Sequence, residues 1–206
     1  MLAWLLTVLA VHAACFLLVR GARGGPFDAE RELPPEVEAA LRAEYRLDQP
    51  LARQYGHALG GLLRGDFGPS LRYRGVSVNQ VIADSLPLSL LLGAGGLAVA
   101  LLLGVPAGLY AARRRGGATD AAVRVASSLA LALPNFVLAG FLVLLFAFTL
   151  AWLPPAGLAG PRSLLLPWAS LGLPFAAQIA RLVRAGALQA LASEAVRAAR
   201  ARGVGA

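Results

Sequence analysis

A chain of 206 residues with 58% hydrophobic residues and a mean hydropathy of +0.66 is too apolar for an ordinary soluble domain and points to a helical membrane protein. Its 19 basic residues, all arginine, exceed 11 acidic ones to give a net charge of +8, which by itself would suit a nucleic-acid binder. The position of the charge counts against that reading. The nine arginines and nine acids of residues 20–84 cancel, and apart from Arg162 the excess lies in 111–124 and 181–206, short stretches beside apolar runs. The positive-inside rule expects such stretches at the cytoplasmic side of a membrane.

Leu2–Val19 is the first apolar run, 18 residues long and at the lower limit for a membrane span. A signal peptide is the rival reading. The charged start is missing, "FLLV" carries the run past Cys15, and His12 stands where a lipoprotein cleavage site needs an aliphatic residue, so a retained helix is expected. Cys15 is the only cysteine, which rules out an intrachain disulfide, and neither His12 nor His57 has the clustered partners of a metal site.

Residues 20–84 are polar. Two short helices are expected there, one starting at Pro34-Pro35 and the second after Gln49-Pro50, followed by a turn cluster, "GDFGPS", at 65–70. The zero net charge of this long loop suits the outer side. Leu86–Ala112 is the second span, in which Gly96, Ala100, Gly104 and Gly108 recur every four residues. They leave one helix face nearly bare, and such a face admits another helix closely in lipid. Pro106 is expected to kink this helix near its end.

"RRRGGATD" at 113–120 reads as an inner turn. The third span lies within Val125–Leu153, long enough to tilt, with Pro134-Asn135 as a kink inside it. "LPPAGLAGPRS" at 153–163 is an outer turn, and Leu164–Val183 is the fourth span, with Arg181 and Arg184 marking the return to the inner side. The expected protein is all-α and polytopic, with residues 1–85 as a first helix plus long outer loop and 86–206 as a transmembrane core.

The end of the chain differs in kind. Ala187–Arg202 contains no helix breaker, and Gly203 stands where a helix would stop, so one short helix is expected. Leu188, Leu191, Ala195, Ala198 and Ala199 give it a small apolar side. The periodicity leaves open whether that side meets a partner protein or the membrane surface.

"VRAARARG" at 196–203 resembles the cytoplasmic EAA loop of permease subunits in binding-protein-dependent ABC importers, whose spacing is E-A-A-x-x-x-G. Arg197, Ala198 and Ala199 occupy the triplet, with arginine in place of glutamate, and Gly203 the glycine. The stretches "GPFDAERELPPEV", "YRLDQPLARQY", "GDFGPSLRYRGVSVNQV", "LGVPAG", "LPNF", "WLPPAG" and "IARLVR" resemble the B subunit of oligopeptide ABC importer permeases, in the same order and over essentially the whole chain. The outer-loop stretches are the most specific, because lipid-facing composition alone cannot produce them. There are departures. Arg23-Gly24 replaces the family's proline-glycine, and Ala187, Gln189 and Ala195 stand where methionine, glutamate and an aromatic residue are usual.

The resemblance implies a type I ABC importer permease fold of six spans, so that two lie beyond Ala206 and the sequence corresponds to a C-terminally truncated permease. It also implies a second permease subunit as heterodimer partner, two cytoplasmic ATPase subunits, a periplasmic peptide-binding protein and residence in the bacterial inner membrane. Arg197, Ala198, Ala199 and Gly203 would then couple the permease to its ATPases. ATP would be bound by those partners. This sequence has no lysine, and therefore no G-x-x-x-x-G-K-[ST] phosphate loop, and it sets no paired carboxylates, nucleophile triad or metal cluster beside a span. No catalytic, cofactor-binding or metal residue is expected, no enzyme activity and no nucleic-acid partner. The competing readings are a nonfunctional fragment or membrane scaffold from an interrupted gene, and a dipeptide or nickel-type permease of the same family.

Overall fold

A computed structural model of the protein describes residues 2–21, 47–70, 72–73, 75–158 and 160–203. The expected loop helix at Pro34-Pro35 lies outside them. The described residues are mostly helical and fall into two compact units, Met1–Leu86 and Pro87–Ala206.

In the first unit, α1 (Leu2–Gly21) is apolar all round, and its leucines and valines are largely exposed, as a helix facing lipid requires. The second loop helix is present as α2 (Leu51–Arg64). Pro50 precedes it, and its carbonyl accepts the N–H groups of Arg53 and Gln54 at 2.9 and 3.1 Å. Gln54 is buried. Its amide nitrogen donates to the carbonyls of Leu47 and Gln49 at 3.2 and 2.6 Å, and its amide oxygen accepts from the Arg20 guanidinium at the end of α1. The Tyr55 ring lies 5.5 Å from His12 and 5.3 Å from Phe16, so α2 covers part of α1 with an aromatic cluster.

The loop motif after α2 is a hydrogen-bonded device. Gly65 takes φ +73° to end the helix, and the Asp66 N–H returns to the Gly61 carbonyl at 2.9 Å. Asn79 then staples the turn: its side-chain oxygen accepts the Phe67 N–H at 2.8 Å while its amide donates to the Gly65 carbonyl at 2.5 Å. Ser70 and Val78 close back on Val76 and Gly68, each at 2.9 Å, around the isolated bridge Pro69–Ser77.

The second span begins eight residues before its expected start. α3 runs Val78–Arg113 and continues through Pro87 and Pro106 without interruption. Its early start follows from Ser77, whose hydroxyl accepts the Gln80 N–H at 3.1 Å in the Ser-x-x-Gln pattern of a helix N-terminus.

The third span is not one kinked helix. It is two helices, α4 (Ala118–Ala132) and α5 (Asn135–Val143), the second continuing into a π-helical turn at Leu144–Thr149, with a 104° bend between the two halves. The cause is local. Leu133, held out of the helical region by the proline after it, is extended at φ −84° and ψ 129°, and the Pro134 carbonyl opens a new helix by accepting Val137 and Leu138. After the π turn the chain folds back, the Trp152 N–H bonding the Phe146 carbonyl at 2.9 Å.

α6 (Pro161–Leu191) starts on a proline in its first turn and, at ~1.5 Å per residue, is about 46 Å long against ~30 Å of hydrocarbon. Among the described residues, α1, α3 and α6 are each long and apolar enough to cross a membrane, and the bent α4–α5 pair makes a fourth span if it crosses as one.

α3 and α6 meet backbone to backbone. Gly96, Ala100, Gly104 and Gly108 of α3 are all buried. A Cβ placed on Gly104 would lie 2.6 Å from the Ala176 carbonyl oxygen, and one on Gly108 would lie 2.5 Å from that of Ala180. α6 returns the arrangement at Gly172, where a Cβ would meet the Gly96 carbonyl oxygen at 2.6 Å. The neighbours are main chain and cannot swing away. Gly104→Val is therefore expected to lower stability by about 1–3 kcal/mol through overpacking. Gly93→Val, where nothing lies within 4 Å, should change it by less than ~0.5 kcal/mol. Denaturant unfolding of both variants in detergent micelles makes the comparison.

Candidate functional site

The C-terminal half of α6 joins two arrangements, an ion pair with α4 and a short terminal helix. Asp120 occupies the first turn of α4, just after the basic turn, and is 1% exposed. Gly116 at φ +80° curls that turn so that its N–H reaches the Asp120 Oδ2 at 3.0 Å. From α6, Arg184 completes the shell with a two-pronged contact, its Nε donating to Oδ1 at 2.5 Å and an Nη to Oδ2 at 2.8 Å. Arg124, one turn further along α4, stands 3.8 Å from Oδ1.

The planar guanidinium matches a carboxylate edge to edge. A carboxylate withdrawn from water is stable only when its lone pairs are used, and both oxygens of Asp120 are used here. Its place in the first turn of α4 adds the favourable field of a helix N-terminus. The contact ties residues 64 apart in sequence and fixes the basic turn and the start of α4 to α6.

Beyond Arg184, α6 continues to Leu191, so the expected single helix over Ala187–Arg202 is corrected to two. The Ala192 N–H still bonds Leu188 and Gln189, both at 3.1 Å, and the helix stops there. α7 (Glu194–Ala201) restarts with the Ser193 carbonyl accepting the Arg197 N–H at 3.1 Å. Ser193 followed by Glu194 in the first turn is a helix-start signal that the absence of Gly and Pro had masked. On α7, Arg197 and Ala198 are exposed and Ala199 is half-buried, and Gly203 follows at φ +84°.

The residues singled out from the sequence thus fall into two groups. Gly96, Ala100, Gly104 and Gly108 line α3, with α6 packed against the three glycines from Leu171 to Val183. Arg197, Ala198, Ala199 and Gly203 lie on or just after α7, past the joint at Ala192-Ser193. Sequence reasoning missed the Asp120–Arg184 pair, which has no local signature. It also missed Trp168, whose indole N–H donates to the Leu91 carbonyl at 3.1 Å with its ring against Gly95.

Residues 104–206, from the last third of α3 through the ion pair to Ala206, match the family described as binding-protein-dependent transport system inner membrane component. The chain belongs to this family. It is 40% identical over 200 residues, 96% of its length, to the oligopeptide transport system permease protein OppB of Escherichia coli (strain K12), and covers 65% of that protein. It is 43% identical over 191 residues to OppB of Haemophilus influenzae, covering 92% of this chain and 62% of the relative. To the dipeptide transport system permease protein DppB of Bacillus subtilis (strain 168) it is 35% identical over 198 residues, 96% of this chain and 64% of the relative. The chain thus spans about 65% of the length of the first of these relatives. Family and helices together make it a multi-pass protein of the inner membrane.

Removing Arg184 leaves the Asp120 carboxylate buried without its partner, which costs more than the pair was worth, and removing Asp120 leaves a part-buried guanidinium unpaired. Asp120→Ala and Arg184→Gln are each expected to loosen the basic turn, seen as severalfold faster tryptic cleavage at Arg113–Arg115. Exchanging the charges, Asp120→Arg with Arg184→Asp, should recover part of the protection. Unchanged cleavage in the single variants would show that the turn is held by something else.

Proposed function

We propose that the protein is a permease subunit of a peptide ABC importer, forming half of the pathway for peptides across the inner membrane. The observation that carries this reading is the 40% identity to an oligopeptide permease over 96% of the chain, which includes the polar loop motifs as well as the apolar helices. In this reading a second permease subunit completes the pathway, a periplasmic binding protein delivers the peptide, and two ATPase subunits bind ATP and act from the cytoplasm.

The geometry supports a mechanical role for α6. A displacement delivered to α7 passes through the joint at Ala192-Ser193 into α6. That helix is held to α3 by glycine contacts and to α4 by Asp120–Arg184, so three helices follow as a body. Arg197 and Ala198 present the exposed surface an ATPase would grip, and Gly203 allows the chain to turn away after it.

The test is ATP-dependent peptide uptake into proteoliposomes holding the full-length permease that contains this sequence, with its partner subunits and binding protein. Uptake of peptides is expected. Uptake of a nickel chelate but not of peptides would overturn the substrate class. Ala199→Glu and Gly203→Pro should each reduce uptake at least tenfold, about 1.4 kcal/mol in the coupling step, while ATP hydrolysis persists. Full uptake by both variants would remove α7 from the coupling path.

Orientation follows from the arginine excess. In a Cys15→Ser background, Arg72→Cys should react with an impermeant thiol reagent on spheroplasts, and Arg114→Cys only after permeabilisation. The opposite pattern would invert the topology.

A further inference from the structure

On the flank of the contact between α4 and α6 lies an open-sided cavity of about 710 Å³, within the ~300–1,000 Å³ range of ligand sites. Arg124 and Leu131 line it from α4, and Gln178, Arg181, Leu182 and Arg184 from α6. On α4, Arg124 lies seven residues nearer the basic turn than Leu131; on α6, Leu182 follows Arg181 directly, and both leucines are exposed. Arg184 is spent on Asp120, which also takes the field of Arg124 at 3.8 Å. Three guanidiniums against one carboxylate leave a surplus of two positive charges.

We propose that this cavity holds the headgroup of an anionic phospholipid, its phosphate between Arg124 and Arg181 and its acyl chains along Leu131 and Leu182. The chemistry it recognises is a phosphate ester, and a free phosphate shares that chemistry. The leucine wall decides for the lipid, because a free anion gains nothing from it. Guanidinium forks match phosphate oxygens in pairs, and Gln178 can donate to a glycerol hydroxyl or an ester oxygen. Basic pockets between membrane helices at an aqueous interface are suited to such headgroups. The inference needs only that the chain is embedded in a bilayer. Lipid retention is read separately from transport, so failure of one does not decide the other.

The experiment is native mass spectrometry of the intact membrane protein in mild detergent. It is first equilibrated with equal amounts of phosphatidylglycerol and phosphatidylcholine of identical acyl chains. One phosphatidylglycerol is expected to be retained in preference, by about fivefold per arginine engaged. Arg124→Gln with Arg181→Gln should abolish the preference. Arg113→Gln with Arg115→Gln removes the same charge from the neighbouring turn, outside the cavity lining, and should leave it intact. Arg181→Gln alone spares the Asp120 cluster and should lower the preference about fivefold, which separates loss of the site from loss of fold. Equal retention of the two lipids, or an equal loss in the turn variant, would overturn the proposal. So would displacement of the lipid by millimolar inorganic phosphate, which would reassign the cavity to a free anion.

Discussion

In a bilayer, helices gain little by hiding apolar side chains from a solvent that is itself apolar, and close van der Waals contact has to hold them together. The approach of α3 to α6 is the form that constraint takes here. A Cβ on Gly108 would lie 2.5 Å from a carbonyl oxygen of the opposite helix, a separation no other residue type permits. The glycine seam, the Trp168 hydrogen bond and the Asp120–Arg184 pair all involve α6, and α6 takes its place from this contact. The close approach lets Trp168 reach a main-chain carbonyl of α3, and it sets a rigid body against which α4 is tied by charge.

The two attachments of α6 differ in kind. Glycine packing is non-directional along the seam and is spread over three turns and more of helix, so it resists separation. The Asp120–Arg184 contact is a single directional fork and fixes one rotation and one height. Together they restrict α6 more than either does alone. The pair lies where α6 has passed the length needed for the hydrocarbon, and the charges need not cross the apolar layer to meet.

Much of this was legible in the sequence because it is local. Spacing of small residues every four positions is visible along one helix, and the arginine cluster at 113–115 marks its inner end. Which helix the bare face meets is a tertiary fact and has no sequence signal in a single chain. The same holds for Asp120 and Arg184, 64 residues apart and each unremarkable beside other charges. Pro134 was visible, but its effect was not: a proline can bend a helix that continues or open a new one. The outcome here turns on the extended backbone of Leu133. Two helix starts, at Ser77 and Ser193, did carry readable capping signals, overlooked because apolar runs and the absence of breakers dominate the pattern.

The indole of Trp168 has one more consequence. Trp4 is 78% exposed and Trp152 64% exposed, whereas Trp168 is half-buried with its N–H engaged by α3. Its emission and its resistance to quenching report on the distance between two helices, in a position where no dye has to be attached. In a Trp4→Phe, Trp152→Phe background the protein carries its own strain gauge, seated on Gly95 and read by light.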